Sequence, residues 1–154
     1  MNTLIQHSNA TVTVVIAMYN GSKSIESTIE SVLSQTYEDI FILICDDASS
    51  DDSVNKVLSL NSSQIKLLEN NKNLGLSKTR KKLISLVNTK WLAFIDQDDT
   101  WNHQKIEKQI NLLKKENCAM SHSYYNFKME LIGSEKIIKS KPKIFYKDLL
   151  GGHC

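Results

Sequence analysis

The chain has little proline and cysteine, no long apolar run and almost no net charge. No stretch approaches the roughly 18 apolar residues that a membrane-spanning helix needs. The N-terminus has neither a basic start nor a long apolar core, so we expect no signal peptide. A net charge of +2 is too small to argue for nucleic-acid binding. The length of 154 residues suits one globular domain with a sizeable core.

The three cysteines are odd in number and have no metal-ligand spacing: Cys45, Cys118 and Cys154. Cys45 falls in an apolar run, where we expect it to be buried. This usage fits a reducing compartment best, so we expect a cytoplasmic protein. The lysine-rich segment 136–147 is typical of a solvated basic face. Its alternative role is peripheral contact with the anionic inner face of the cell membrane.

Strand-like and helix-like segments alternate along the chain. Apolar runs at residues 12–18, 40–45, 65–68 and 91–95 predict four strands, and helical spacing of apolar residues fills the intervals. This order predicts an α/β fold with a mostly parallel sheet and right-handed crossovers. The single proline and the lack of internal repeats give no sign of a linker. We also expect residues 119–125 to form a fifth strand. The tail that follows should form an extended ribbon and a short terminal helix.

The helical spacing also predicts which side chains face the core. The first helix should run from Ser22 to Ser34, and Ser50 or Asp51 should cap the second. The residues expected on buried faces are Val54, Val57 and Leu58 in the second helix and Leu76, Leu83, Ile84 and Val87 in the third. The spacing of Ile106, Gln109, Ile110 and Leu113 marks the fourth helix.

Polar residues cluster where the predicted strands end. Asp96, Asp98 and Asp99 directly follow the fourth strand, and ligands of open α/β sheets bind at the carboxyl ends of strands. Such carboxylates repel one another unless a cation joins them, and oxygen ligands favour Mg²⁺ or Mn²⁺. These ions commonly bridge protein to substrate phosphates. The alternative is an acidic helix N-terminus, which the helix dipole favours.

Five segments, in order, resemble the motifs of family 2 glycosyltransferases. They are VVIAMYN at 14–20, SVLSQTY at 31–37, DDASSD at 46–51, NLGLSKTR at 73–80 and FIDQDDTW at 94–101, which contains the DXD motif. Together they fall within residues 12–113. The resemblance implies a GT-A fold, in which a Rossmann-like nucleotide-binding half precedes an acceptor-binding half. It also implies inverting sugar transfer from a nucleotide sugar, most often a UDP-sugar.

The resemblance assigns roles to individual residues. Ala17 and Tyr19 would flank the base, Asp47 would bind the uracil edge, and Arg80 would help to hold the nucleotide. The metal, Mn²⁺ or Mg²⁺, would be held by Asp96, Asp98 and Asp99, and Asp98 would also serve the ribose. Three of these residues have a plainer alternative role. Tyr19 could be a core residue, Asp47 could cap a helix, and Arg80 could lie on a solvated, lysine-rich helix face.

Two departures from the family pattern concern single residues. The family usually has proline where this chain has Ala17, and glycine where it has Ala48. Alanine in place of proline at residue 17 makes the turn less rigid. Alanine in place of glycine at residue 48 lowers stability modestly if its φ is positive. Neither departure removes a predicted ligand.

The third departure concerns the catalytic base. In this family the base is an acidic residue well past the metal motif, and Glu130, Glu135 and Asp148 stand in no similar sequence. We therefore expect the base beyond Cys154 and an incomplete acceptor half. The expected organisation is an N-terminal tail at 1–10, a nucleotide-sugar-binding core at 11–126, and a partial acceptor-side region at 127–154.

The leading interpretation is a glycosyltransferase that acts on a glycan or lipid-linked acceptor in surface polysaccharide assembly. The alternative is a truncated, non-catalytic remnant that binds a nucleotide sugar. A nucleotidyltransferase fits less well, because residues 19–22 contain one glycine rather than a glycine-rich, basic phosphate loop. An exposed sheet edge would also favour self-association.

Overall fold

The computed structural model describes residues 10–123 in full, together with the backbone of 125–129 and 134–138. The elements, in chain order, are β1 (Val12–Met18), α1 (Ile25–Leu33), β2 (Ile40–Asp46), α2 (Ser53–Ser59), β3 (Ile65–Glu69), α3 (Leu76–Ile84), β4 (Trp91–Phe94), α4 (Lys105–Glu116), β5 (Tyr125–Met129) and β6 (Ser134–Ile138). The predicted alternation of strands and helices is therefore confirmed.

Four parallel strands form one sheet in the order β3-β2-β1-β4. Val12, the first residue of β1, pairs with Ile40 of β2 and with Trp91 of β4. The register therefore brings the carboxyl ends of β1, β2 and β4 to the same edge of the sheet. Residues that follow these strands are placed close together, as the sequence predicts.

The core lies around the two central strands. All seven residues of β2 are buried, which is typical of a parallel strand covered on both faces. Phe41, Leu43 and Cys45 of β2 pack in one cluster with Val15 of β1 and Leu83 of α3. Burying a side chain the size of Leu43 contributes about 1.5–3 kcal/mol. Cys45 is buried, as expected from its place in the strand.

Three predicted core residues are instead exposed: Leu58, Leu76 and Ile84, at 61%, 52% and 44%. In α3 the buried positions are Thr79 and Leu83, which lie four residues apart on one face. Ile84 stands one position around the helix from Leu83, beside that face. Leu76 lies on the same side as Leu83, seven residues earlier, but it is the first residue of α3 and is exposed there. The spacing identified the helix correctly, but its rotation against the sheet was wrong.

The predicted strand at 119–125 is also wrong, because residues 119–123 form no strand and β5 begins at Tyr125. β5 and β6 pair antiparallel, with Tyr125 opposite Ile138, so the predicted extended ribbon is confirmed in these residues. The predicted terminal helix lies outside the described residues.

The chain divides into two compact units, one ending at Ile106 and the other beginning at Glu107. The second contains most of α4 and the β5–β6 hairpin. Ile106, Ile110 and Leu113 of α4 are buried, as their spacing predicts. None of the helices in the described ranges is long and apolar enough to cross a membrane.

The turn after β2 contains a backbone conformation that alanine rarely adopts. Ala48 has φ +62°, in the left-handed region, where a Cβ atom meets the neighbouring carbonyl oxygen. The family usually has glycine at this position, and the positive φ confirms the path expected from that departure. The turn therefore carries strain that a glycine would relieve.

We predict that Ala48→Gly raises the free energy of unfolding by about 1 kcal/mol, because glycine adopts a positive φ without a steric penalty. In a chain of this length the melting temperature should rise by about 2–4 °C. Ala93→Gly is the matched control, because Ala93 lies within β4. This substitution should lower the free energy of unfolding by about 0.5–1 kcal/mol. Equal effects of the two substitutions would contradict the assignment of strain to Ala48.

Candidate functional site

The turn after β1 is joined to the loop after β2 by side-chain hydrogen bonds. The Asn20 N–H donates to Ser49 Oγ at 2.8 Å, and the Ser50 N–H donates to Asn20 Oδ1 at 2.8 Å. The next residue, Gly21, donates its N–H to the buried Ser53 Oγ at 2.8 Å. Asn20 has φ +49°, a conformation that asparagine tolerates well. The two loops therefore form one connected surface.

Asp51 strengthens the same junction. Its carboxylate accepts the Ser22 N–H at 3.0 Å and the N–H of Ser53, the first residue of α2, at 3.1 Å. The N-cap position of α2 is Asp52, so the prediction that Ser50 or Asp51 occupies it is wrong by one residue. Asp51 nevertheless accepts the first N–H group of the helix. Partial desolvation raises the pKa of Asp51, but the hydrogen bonds from Ser53 and Ser22 outweigh it and hold the pKa well below its usual range.

Asp47 is buried and supports the loop that follows β3. Its carboxylate accepts hydrogen bonds from Asn70 Nδ2 at 2.8 Å, from the Leu74 N–H at 2.9 Å and from the Gly75 N–H at 2.8 Å. Burial raises the pKa of Asp47, but the hydrogen bonds from Leu74 and Asn70 outweigh burial and lower it. Asp47 therefore fixes the loop as an ionised carboxylate. Its contact with a uracil ring stays a prediction.

The acidic motif after β4 borders a cavity of about 360 Å³. Arg80 of α3 lines this cavity and forms an ion pair with Asp96, and both side chains are partly exposed. Asp99 also lines the cavity, and its N–H donates to the Asp96 carbonyl at 3.1 Å. Partial burial raises the pKa of Asp99, and the negative charges of Asp96 and Asp98 raise it further.

The chemistry of these acids suits a hard divalent cation. Carboxylate oxygens are the ligands that Mg²⁺ and Mn²⁺ prefer. Burial and the charges of Asp96 and Asp98 raise the pKa of Asp99, and a bound cation would offset both effects. Within the described ranges, no group of three or more potential metal-ligating side chains is close enough to hold an ion alone. Magnesium sites commonly combine one or two carboxylates with substrate phosphates and water, so this finding is compatible with a shared site.

The remaining predicted residues lie near the ends of β1 and β4. Ala17 is partly buried in β1, and the Tyr19 side chain is 46% exposed rather than a core residue. Gln97, inside the acidic motif, makes two hydrogen bonds to the Tyr19 backbone. Gln97 and Asn70 were not among the predicted site residues. A long amide between two aspartates was the available signal for Gln97.

The chain matches the Glycosyl transferase family 2 model over residues 13–151 and belongs to that family. It is 34% identical over 139 residues to the Escherichia coli protein WfaP, a UDP-Glc:alpha-D-GlcNAc-diphosphoundecaprenol beta-1,3-glucosyltransferase, covering 90% of this chain and 55% of WfaP. WfgD, an Escherichia coli protein with the same described activity, is 35% identical over 142 residues, covering 90% of this chain and 54% of WfgD. The chain therefore spans about half the length of these relatives.

Solved structures share the fold at lower identity. S. aureus TarS 1-349 in complex with UDP-GlcNAc has a TM-score of 0.66 and 20% identity, covering 70% of this chain and 32% of TarS. The mannosyltransferase PcManGT from Pyrobaculum calidifontis, in complex with GDP-Man and Mn²⁺, has a TM-score of 0.62 and 18% identity, covering 70% of this chain and 33% of PcManGT. The fold class is GT-A, as the sequence motifs predict.

We predict that Asp51→Ala lowers the free energy of unfolding by about 1 kcal/mol at pH 7, because the Ser22 and Ser53 N–H groups lose their carboxylate acceptor. The folded pKa is below the unfolded value of about 3.9, so the contribution of Asp51 is complete above that pH and disappears as the pH falls further. Urea denaturation at pH 7 and pH 3 measures the difference. Asp52→Ala is the control, because Asp52 contacts Asn55 and makes no capping hydrogen bond. A loss at pH 7 that persists unchanged at pH 3 would refute the charge-dependent role.

Proposed function

We propose that the protein is an inverting, metal-dependent glycosyltransferase that transfers a sugar from a UDP-sugar to a glycan or lipid-linked acceptor in surface polysaccharide assembly. The observation that carries the proposal is the cavity lined by Arg80, Asp96 and Asp99 at the carboxyl edge of the sheet. A cation and a carboxylate cluster on one cavity suit a metal-bound diphosphate. Family membership supplies the class of reaction.

The choice of donor and acceptor rests on the relatives. WfaP and WfgD use UDP-Glc and an acceptor linked to diphosphoundecaprenol, and TarS has been solved with UDP and UDP-GlcNAc. From these we infer a UDP-sugar and a lipid-linked or glycan acceptor. A protein with such an acceptor would work at the inner face of the cell membrane, within the cytoplasm.

Each predicted side chain has a place in this proposal. The exposed Tyr19 ring would stack on the base beside Ala17, and Asp47 would accept a charge-assisted hydrogen bond from the uracil edge. Arg80 would exchange Asp96 for a diphosphate oxygen, which a guanidinium binds in the same planar geometry. Asp98 would serve both the ribose and the metal.

We propose that Asp98 and Asp99 hold Mn²⁺ or Mg²⁺, with Asp96 supporting them. When bound, the ion would stabilise the negative charge of the leaving diphosphate as a Lewis acid. Inverting transfer also needs a carboxylate within hydrogen-bond reach of the acceptor hydroxyl. We assign that role to no described residue, and we propose that residues 11–126 bind the donor while 127–154 begin the acceptor side.

The metal prediction concerns Asp99. UDP at about a hundredfold excess over its dissociation constant should raise the melting temperature by roughly 5–10 °C when Mn²⁺ is present, because it binds only the folded state. Asp99→Asn should abolish this shift. Without ligand, the same variant should melt at or above the wild-type temperature, because it removes a charge that Asp96 and Asp98 repel.

Differential scanning fluorimetry with and without Mn²⁺ and EDTA measures both effects. A metal-independent shift that survives Asp99→Asn would exclude the proposed metal site. Release of UDP from UDP-glucose, tested with and without a lipid-linked acceptor, then separates a transferase from a protein that only binds the donor.

The base-choice prediction concerns Asp47. UDP should bind more tightly than ADP or GDP, and Asp47→Asn should reduce this preference by about ten- to a hundredfold, the effect of losing a hydrogen bond to a charged group. The ratio of affinities is the measured quantity, because Asp47→Asn also disturbs the loop held by Leu74 and Gly75. Isothermal titration calorimetry with the three nucleotides provides it. An unchanged ratio would restrict Asp47 to its structural role.

A further inference from the structure

Gln97 connects the acidic motif to the turn after β1. The Tyr19 N–H donates to Gln97 Oε1 at 2.8 Å, and Gln97 Nε2 donates to the Tyr19 carbonyl at 3.0 Å. One side-chain amide therefore satisfies both backbone groups of Tyr19, as a neighbouring strand would. Two bonds to one residue fix both the position and the direction of the backbone at that point.

Gln97 is itself anchored at its backbone. Thr28 Oγ1, which is fully buried on α1, donates to the Gln97 carbonyl at 2.8 Å. The residue is thus held to α1 through its main chain and to the turn after β1 through its side chain. Displacement of Tyr19 relative to the acidic motif would have to break at least one of these bonds.

Gly21 provides the space that this contact requires. A Cβ atom at residue 21 would lie 2.7 Å from Gln97 Oε1 and 2.9 Å from its Cδ, closer than real Cβ atoms approach. The φ of Gly21 is not in the left-handed region, so its backbone conformation is open to alanine. Glycine is therefore needed at residue 21 because a larger residue would clash with the Gln97 side chain.

We propose that Gln97 is a positioning residue that fixes Tyr19 relative to Asp98 and Asp99, and so couples the base side of the nucleotide site to its metal side. This inference rests on the proposed function, which assigns Tyr19 to the base and the two aspartates to the metal. A side chain that only donates or only accepts could not satisfy both groups of Tyr19. A glutamate would also add a fourth negative charge, between Asp96 and Asp98.

The first test compares two ligands. Gln97→Ala should weaken binding of UDP with Mn²⁺ by about tenfold, the effect of losing two ordinary hydrogen bonds that order the turn. Binding of inorganic pyrophosphate with Mn²⁺ should change less than about twofold, because pyrophosphate carries no base for Tyr19 to hold. A general loss of structure would weaken both ligands alike, and that result would overturn the proposal, as would unchanged binding of UDP.

Gln64→Ala is the matched control. Gln64 Nε2 also donates to a backbone carbonyl, that of Ile40 at 3.1 Å, at the opposite end of β2. The substitution removes the same atoms from the chain. It should leave the ratio of UDP to pyrophosphate affinity unchanged, so a shift in that ratio would show that the readout is not specific for Gln97.

The second test needs no ligand. Hydrogen exchange of the Tyr19 amide should be faster in Gln97→Ala, because the hydrogen-bond acceptor of that amide is removed.

A third test uses Gly21. Gly21→Ala should lower the free energy of unfolding of the wild type, and it should lower that of Gln97→Ala much less, because the clash is absent there. Additive effects, or unchanged exchange at Tyr19, would overturn the proposal. If the wild type binds neither ligand, the proposed function fails, while these two results still decide whether Gln97 fixes the turn.

Discussion

The in-register pairing of β1 with both β2 and β4 is the constraint on which the candidate site depends. Because all three strands run parallel, Met18, Asp46 and Phe94 deliver their following loops to one edge of the sheet. A shift of one residue would exchange the side chains on the two buried faces of β2, and the close packing of the core would not accommodate the new shapes. The core therefore sets the distances within the site, and Ala17, which packs against the core cluster, links the two.

Carboxylates at this edge have two different surroundings. Asp47 and Asp51 are surrounded by donors from the protein itself, and these hydrogen bonds lower their pKa values. Asp99 is partly buried and has negative neighbours, and both burial and these neighbours raise its pKa. The first arrangement stabilises the loops of the ligand-free protein. The second lowers stability and is typical of a site that becomes favourable only when a cation binds.

The sequence predicted the fold well because its signals are local. An apolar run ends where its strand ends. The predicted strand 40–45 and the observed strand Ile40–Asp46 therefore differ by only one residue. The rotation of a helix depends on the sheet that it packs against, and for this reason Leu58 and Ile84 were misplaced. Leu76 has the correct side of α3 but stands at its exposed first position. The motifs identified Asp47, Arg80 and the acidic cluster as neighbours of one sheet edge. Gln97 and Asn70 were missed because their partners are distant in sequence and are backbone groups or another polar side chain.

The two sides of the site differ in how firmly they are held. On the β2 side, bonds from Ser49, Ser50, Ser53 and Asp51 join the loops, so the loss of one leaves the others in place. On the β4 side, the two bonds to Tyr19 come from one amide. Binding is weakened when a ligand must order a loose loop, because that ordering opposes the gain from contacts. The orientation of Tyr19 toward the acidic motif therefore depends on a single side chain. The attachment of the next residues, Asn20 to Ser22, to the β2 loop is shared among several side chains.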